Sequence, residues 1–175
     1  MRELQLALLD RDGTLNRKPP EGEYVTDVSE LELLDGAGEA VLALNRAGLG
    51  VAVVTNQRCV ALGRLDAARL DRMHSTLRAR IAARGGSIDA FYHCPHDVGT
   101  CACRKPEPGL LAAAARDFGA APEQTVMIGD AASDVEAGRR FGAHTVQLTG
   151  GESAATATAP TLLDAVHEIL AWRSG

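Results

Sequence analysis

Two aspartates at the end of the first apolar segment are the residues of this chain best suited to chemistry. The apolar run 4–9 ends in Asp10, and Asp12 follows before a Gly13-Thr14 pair that turns the chain sharply. Ligands of open α/β sheets bind beyond the carboxyl ends of the strands, so both carboxylates are expected to face a substrate. Taken alone, the pattern also fits an Asp-rich turn after a strand.

Other polar residues occupy the ends of later apolar runs. They are Thr55, Asn56 and Gln57 after the run 49–54, Arg104 and Lys105 just ahead of a helical segment, and Asp130 with Asp134 after the run 124–128. Carboxylates can act as nucleophile, acid, base or ligand to a hard cation, and hydroxyl and cationic groups can hold a phosphate. From the residues alone, Asp134 either lies behind the ligands of a bound cation or merely begins a helix.

A cluster of cysteines predicts a second metal site. Cys94, His96, Cys101 and Cys103 fall within ten residues. Three thiolates and one imidazole make the closed tetrahedral site that is typical of structural zinc. The alternative is a set of free thiols, since a disulfide between Cys101 and Cys103 would be strained. Cys59 stands apart and is expected to be a packed thiol.

The segments that must position these residues alternate between strand-like and helix-like patterns. Strands are predicted at 4–9, 49–54, 88–93, 124–128 and 143–148, and helices at 37–47, 66–84, 108–118, 133–141 and 161–172. The Gly-, Ala- and Thr-rich segment 149–160 is predicted to be a mobile loop. This alternation favours an α/β fold with a doubly wound parallel sheet, in one domain that spans residues 1–175.

Composition and charge argue against several classes of protein. The 175 residues are 46% hydrophobic and 23% charged, which is ordinary for a globular domain. The net charge of -5 argues against nucleic acid or an anionic membrane as the main partner. The sequence has no secretory leader and no apolar run approaching the roughly 18 residues of a spanning helix. We therefore expect a cytoplasmic protein that acts on a small molecule. The low aromatic content of 3% gives no sign of an exposed apolar patch, so we expect a monomer.

Taken in order, these motifs resemble those of the haloacid dehalogenase superfamily of phosphohydrolases. Asp-x-Asp-Gly-Thr begins at Asp10, Thr55 ends a strand, Lys105 follows, and Gly-Asp-x-x-x-Asp lies at 129–134. Within that superfamily the chain resembles the branch that binds zinc and has no cap domain, because it has the zinc motif and lacks an insert long enough for a cap domain. That branch holds the D-glycero-D-manno-heptose 1,7-bisphosphate phosphatases and the histidinol-phosphate phosphatases. The resemblance covers roughly residues 4–150 and implies a Rossmann-like fold without a cap.

The resemblance implies a role for each residue of the site. Asp10 would be the nucleophile that forms an aspartyl-phosphate, and Asp12 the general acid and base. Asp10, the Asp12 carbonyl and Asp130 would hold Mg²⁺. Thr55 and Lys105 would stabilise the transferred phosphoryl group. The residues expected to contact the substrate are Asn16, Thr55, Asn56, Gln57, Arg58, Arg104 and Lys105.

The choice of substrate depends on shorter signals. The sequence is more similar to the heptose bisphosphatases at three places, which are Asn16, Tyr24 and the Arg-Lys-Pro segment 104–106. In that segment, Arg104 would suit the phosphate that is not cleaved. We therefore predict removal of the C7 phosphate of D-glycero-D-manno-heptose 1,7-bisphosphate. Glu21 and Glu23 could bind the ammonium and imidazole of histidinol phosphate. A histidinol-phosphate phosphatase or a related sugar phosphatase is therefore the main alternative.

One loop departs from the heptose pattern. After Gln57 those enzymes usually continue with Ser-Gly and then a basic residue, whereas this chain has Arg58 and Cys59, with Leu62 at the basic position. Arg58 is expected either to replace the missing charge or to mark an altered substrate. Two further alternatives are a phosphotransferase with an acceptor other than water and a non-catalytic, zinc-stabilised interaction module. A non-catalytic module would be expected to lack at least one catalytic residue, and this sequence retains all four, Asp10, Asp12, Lys105 and Asp130.

Overall fold

Segments whose side chains are covered on both faces form the strands of the sheet. The computed structural model describes residues 3–148, 151 and 153–174. The strands are β1 (Leu6–Leu9), β2 (Gly50–Asn56), β3 (Ala90–Cys94), β4 (Thr125–Gly129), β5 (His144–Leu148) and β6 (Ala157–Ala159). The helices are α1 (Ala37–Arg46), α2 (Ala67–Ala82), α3 (Gly109–Phe118), α4 (Ala132–Phe141) and α5 (Leu162–Ser174).

Within these residues the strands form one parallel sheet in the order β3-β2-β1-β4-β5-β6. The chain leaves β1 towards β2 and β3, and then returns to the other side of β1 with β4. The strand order therefore reverses between β1 and β4. In doubly wound sheets, such a reversal opens a crevice at the carboxyl ends of the strands, where ligands bind.

Helices cover both faces of the sheet. Leu6 and Leu8 of β1 pack in an apolar cluster with Leu111 of α3 and with residues of α4. Ala7 and Leu9 belong to the opposite cluster, which includes residues of α1, α2 and α5. This alternation explains why β1 is buried along its whole length. The doubly wound α/β fold is confirmed.

Every predicted strand and helix is present, with its ends moved by at most two residues. The exception is the segment 149–160, which was expected to be only a loop. Ala157–Ala159 instead forms β6, which pairs in parallel with the edge of β5. The Thr156 hydroxyl also accepts the N–H of Thr145 at 3.1 Å, which aligns the two segments. Residues 149, 150 and 152 of the predicted loop lie outside the described residues.

The connections that follow β1 and β2 carry the loops around the site. Over the part of the chain that the structure describes, these connections contain turns, the short 3-10 helix Val28–Glu30 and the helices α1 and α2, but no cap domain. Among the same residues, no helix combines the length and the apolar character that crossing a membrane requires.

Candidate active site

The turn after β1 allows a carboxylate from β4 to approach it closely. Gly13 has a φ of +86°, in the left-handed region that favours glycine. A Cβ at this position would lie 2.6 Å from the carboxylate carbon of Asp130. The Gly13 N–H donates to the carbonyl of Asn16 at 2.8 Å and closes the turn. Glycine is therefore required here both by its conformation and by the space that Asp130 occupies.

Three carboxylates from separate segments meet at this point. Asp10 follows β1, Asp130 follows β4 and Asp134 lies in the first turn of α4, and one oxygen of each lies within 4.8 Å of the others. Asp134 is 1% exposed, and its Oδ2 accepts the N–H of Ala131 at 3.0 Å. Asp134 therefore closes the first turn of α4 and also faces the predicted magnesium ligands. We call Asp10, Asp130 and Asp134 the carboxylate cluster.

Lys105 is buried within this cluster. Its Nζ donates to Asp10 Oδ1 at 2.8 Å and to the carbonyl of Val54 at 2.8 Å, and it lies 2.7 Å from Asp134 Oδ1. Burial alone would lower the pKa of Lys105, but the charges of Asp10 and Asp134 raise it above its ordinary value. The lysine is therefore a fixed positive charge beside the predicted nucleophile.

The cluster carries more negative charge than its neighbours neutralise. Burial, with the charge of Asp134 adding to it and Lys105 opposing it, raises the pKa of Asp10 to about 6. Burial also raises the pKa of Asp130, against the hydrogen bond that it accepts from Lys18. Asp130 Oδ1 is buried without a protein partner. Oxygen ligands with uncompensated charge are what Mg²⁺ prefers, so these residues fit that ion.

Asp12 is oriented by donors on both of its oxygens. Arg11 donates from Nε to Oδ1 at 3.0 Å and from Nη2 to Oδ2 at 3.1 Å. Asn16 donates to Oδ1 at 2.9 Å, and Gln57 donates to Oδ2 at 3.3 Å. Arg11 is fully buried, and its Nη1 lies 3.4 Å from Nε2 of His74. A chain of buried polar groups therefore runs from α2 to Asp12.

Sequence reasoning misses Arg11 and His74, although a signal was available for the arginine. Neighbouring side chains at a strand end point in opposite directions, so an arginine between two substrate-facing aspartates must point inward and find a partner. His74 supplies that partner and stacks on Phe91, with ring centroids 4.6 Å apart. Burial, followed by the charge of Arg11, lowers the pKa of His74 to about 3. The imidazole is therefore neutral and able to accept from Arg11.

A pocket of about 240 Å³ opens onto the carboxylate cluster. The predicted residues in its wall are Asp10, Asp12, Thr55, Asn56, Arg104, Lys105 and Asp130. Lys18, Ala131, Ser133 and Asp134 complete the lining. Nη1 of Arg104 is buried without a protein partner, which leaves a guanidinium donor for a ligand.

Three predicted substrate contacts have partners within the protein and are not in the wall of this pocket. Asn16 is fully buried behind the second aspartate. Gln57 is 2% exposed and donates to the Thr55 hydroxyl at 2.9 Å, which orients that hydroxyl. Arg58 donates from Nε to Asp97 Oδ1 at 2.6 Å. The first two residues thus orient groups that line the pocket, and the third contacts the loop that carries the cysteines.

Asn56 joins the end of β2 to the segment that carries Lys105. Its Nδ2 donates to the Lys105 carbonyl at 3.0 Å, and the Lys105 N–H donates to Asn56 Oδ1 at 3.0 Å. This reciprocal pair fixes the backbone from which the buried ammonium extends. Asn56 therefore positions the lysine and also lines the pocket.

The predicted zinc ligands lie together at the end of β3 and in the loop that follows it. We call Cys94, His96, Cys101 and Cys103 the Cys/His cluster. Cys94 Sγ is 3.5 Å from His96 Nδ1 and from Cys101 Sγ. Cys103 Sγ is 3.3 Å from His96 Nδ1 and 3.5 Å from Cys101 Sγ. A tetrahedron with Zn–S bonds of about 2.3 Å has edges of about 3.8 Å, so the four ligands fit zinc with small shifts. Cys103 directly precedes Arg104.

Known proteins share both this fold and much of this sequence. Residues 102–171 match the Hydrolase-like family, described as HAD-hydrolase-like. The D-glycero-beta-D-manno-heptose-1,7-bisphosphate 7-phosphatase of Pseudomonas putida is 37% identical over 155 residues, which cover 87% of each chain. The D-glycero-alpha-D-manno-heptose-1,7-bisphosphate 7-phosphatase of Mycobacterium tuberculosis is 36% identical over 158 residues, which cover 86% of this chain and 83% of the relative.

A solved structure extends the comparison to three dimensions. The D,D-heptose 1,7-bisphosphate phosphatase from B. bronchiseptica was crystallised with magnesium and phosphate and superimposes with a TM-score of 0.88. It is 29% identical in sequence, and the match covers 97% of this chain and 99% of that one. Its fold has the same architecture over nearly the whole length. The chain belongs to the heptose 1,7-bisphosphate 7-phosphatase family of the haloacid dehalogenase-like hydrolases.

Proposed function

We propose that this chain is a Mg²⁺-dependent phosphatase that removes the C7 phosphate of D-glycero-D-manno-heptose 1,7-bisphosphate. The observation that carries the proposal is one pocket, at the reversal of strand order, that joins Asp10, Asp130 and Lys105. Relatives named for this reaction support the choice of substrate. The magnesium and phosphate bound by the B. bronchiseptica enzyme support the choice of metal.

Asp10 is the proposed nucleophile. Lys105 holds its Oδ1 at 2.8 Å, which leaves the second carboxylate oxygen to attack phosphorus and form an aspartyl-phosphate as the sugar leaves. The Lys105 ammonium and the Thr55 hydroxyl donate to phosphoryl oxygens and stabilise the negative charge that these oxygens carry in the transition state. Asp10, the Asp12 carbonyl and Asp130 would hold Mg²⁺, which would supply further positive charge and so reduce the repulsion between carboxylate and phosphate.

Asp12 is the proposed acid and base. It donates a proton to the C7 oxygen of the leaving sugar and later takes a proton from the water that hydrolyses the aspartyl-phosphate. The donors Arg11, Asn16 and Gln57 hold its carboxylate in one orientation before substrate binds. Such preorganisation reduces the entropy that must be lost at the transition state.

The cations of the pocket support a bisphosphate over histidinol phosphate. Arg104 has a buried donor without a protein partner, and a phosphate that is not cleaved gives it a strong acceptor. Histidinol phosphate has an ammonium and an imidazole in place of a second phosphate and offers no second anion to this donor. The unpartnered Arg104 donor therefore favours the doubly phosphorylated sugar.

We also propose that the Cys/His cluster binds a structural Zn²⁺. The four ligands fill a tetrahedron, so the metal has no open position for chemistry. Its effect on the reaction is mechanical, because the loop that it closes leads directly into Arg104 and Lys105. None of the four cysteines, all of which lie within the described residues, forms a disulfide, which suits a reducing compartment, and we therefore propose a cytoplasmic enzyme. We propose that it acts as a monomer, since the described residues expose only two large hydrophobic side chains, those of Leu62 and Val98.

The test is phosphate release measured with Mg²⁺ from the heptose bisphosphate and from histidinol phosphate, side by side. We expect kcat/KM to favour the bisphosphate by about 100-fold or more, because the Arg104 donor is left unpaired by the other substrate. Chelation of Mg²⁺ serves as the control and should abolish release. Preference for histidinol phosphate would contradict the proposed substrate, and release from neither would contradict the proposed activity.

A further inference from the structure

Lys18 places a second ammonium on the carboxylate cluster. Its Nζ donates to Asp130 Oδ2 at 2.5 Å, although the two residues lie 112 positions apart in the sequence. The Lys18 side chain is 57% exposed, whereas that of Asp130 is only 17% exposed. A flexible group that reaches from solvent therefore neutralises a largely buried carboxylate. That carboxylate is one of the proposed magnesium ligands.

The loop that carries Lys18 borders two cavities. One is the pocket of about 240 Å³ that contains Asp10 and Asp130. The other is a neighbouring cavity of about 230 Å³, lined by Lys18 together with residues such as Pro19 and Tyr24. Lys18 belongs to the walls of both. Because more than half of its side chain is exposed, the ammonium can turn away from Asp130 into solvent.

The two oxygens of Asp130 have different surroundings. Oδ2 accepts from Lys18, and Oδ1 is buried without a protein partner. A divalent cation bound by this carboxylate would therefore be next to the Lys18 ammonium. Like charges repel, and the solvent that reaches Lys18 weakens this repulsion without removing it, so the two cations oppose one another. The contact that stabilises the metal-free site thus weakens binding of the metal.

We propose that Lys18 is an internal counter-ion, which occupies Asp130 in the metal-free enzyme and competes with Mg²⁺ for it. The inference rests on the proposed function, which assigns Mg²⁺ to Asp130. Its consequence is a Mg²⁺ affinity below what the carboxylates alone would give. Displacement leaves the ammonium at the border of the two cavities, where it faces an anionic substrate.

The test is calorimetric titration of Mg²⁺ into the full-length, zinc-loaded protein. We expect the Kd for Mg²⁺ to be about three- to tenfold lower in Lys18→Met than in the wild type, because no ion pair must be broken. Raised ionic strength should shrink this difference, since salt screens a partly exposed pair. A Kd that is unchanged or higher in Lys18→Met would overturn the proposal.

Two matched variants separate this contact from general electrostatics. Arg17→Met removes the same charge one position away, where the arginine pairs with Glu32 at 2.9 and 3.0 Å instead of with the cluster. We expect its Kd to stay within about twofold of the wild type. Lys18→Arg keeps the positive charge and should also bind Mg²⁺ like the wild type. Tightening in either variant equal to that of Lys18→Met would overturn the proposal.

The failure of this inference can be told apart from failure of the proposed function. Asp130→Asn should bind Mg²⁺ much more weakly than the wild type, and wild-type affinity in that variant would contradict the proposed metal site itself. Loss of binding in Asp130→Asn, with no tightening in Lys18→Met, would leave the metal site supported and overturn only the role of Lys18.

Discussion

The two ligand clusters of this chain are built in opposite ways. The Cys/His cluster comes from the end of β3 and the loop that follows it, and each of its ligand atoms already lies 3.3 to 3.5 Å from two others. The carboxylate cluster takes Asp10, Asp130 and Asp134 from the ends of two strands and the start of a helix. Its charges repel, and Lys105 and Lys18 hold them together.

This difference distinguishes a structural site from a reactive one. Four ligands of the Cys/His cluster leave no position for a substrate. The carboxylate cluster instead faces a pocket, and it leaves Asp130 Oδ1 and Arg104 Nη1 buried without protein partners. Buried polar groups without partners are rare because they destabilise a fold, and they are common where a ligand completes the site. We therefore expect the Cys/His cluster to contribute stability and the carboxylate cluster to reduce stability where it serves the reaction.

Asp10→Asn should produce the largest effect on activity, because Asp10 belongs to the cluster that we expect to be reactive. We expect kcat to fall on the order of 10³-fold or more, because the amide is not a nucleophile. The metal-free variant should be at least as stable as the wild type, since burial makes the Asp10 charge unfavourable. Phosphate release and urea unfolding measure the two effects. Activity within about tenfold of the wild type would contradict the role of Asp10.

Cys101→Ser should affect stability before chemistry. We expect zinc content to fall and the Tm to drop by about 5–10 °C, because the loop loses a ligand that ties it together. Elemental analysis and thermal unfolding measure these changes. Cys59→Ser is the matched control and should retain zinc, since Cys59 is a buried thiol outside the cluster. Unchanged zinc stoichiometry in Cys101→Ser would count against the site.

Arg104→Met and Arg58→Met test which arginine contacts the substrate in the pocket and which only supports the loop of the Cys/His cluster. Arg104 lines the pocket with an unpartnered donor, so we expect the KM for the bisphosphate to rise about tenfold. Arg58 pairs with Asp97 in the loop of the Cys/His cluster, and its loss should change the KM less than about twofold. Steady-state kinetics on both variants provides the measurement. The reverse order of effects would make Arg58 the substrate contact.

His74→Gln should have the smallest effect and should appear only in acid. The folded-state pKa of His74 lies far below its ordinary value, so its contribution to stability is present above pH 6.5 and is lost as the pH falls towards 3. Between pH 7.5 and 5.5 this loss is about 1 kcal/mol of unfolding free energy. Glutamine does not titrate and should reduce the loss by that amount. Equal acid sensitivity of both proteins in urea unfolding would contradict this account.

The sequence predicts the parts of the site that depend on strand ends. Asp10, Thr55 and Asp130 follow parallel strands, and such strands share their carboxyl edge, so their meeting could be foreseen. The inward direction of Arg11 could also be foreseen, but its partner His74 and the contact of Lys18 with Asp130 could not, because they depend on how side chains pack against distant elements. Strand β6 was missed for a similar reason, since its three small residues form a strand only against the edge of β5.

The most direct test of the account is a crystal structure of the protein with Mg²⁺ and beryllium trifluoride, which mimics a phosphoryl group on a carboxylate. The account predicts beryllium bonded to an oxygen of Asp10, fluorides within reach of Lys105 and Thr55, and Mg²⁺ bound by Asp10 and Asp130. Beryllium bonded to Asp12, or Mg²⁺ bound away from the carboxylate cluster, would contradict it.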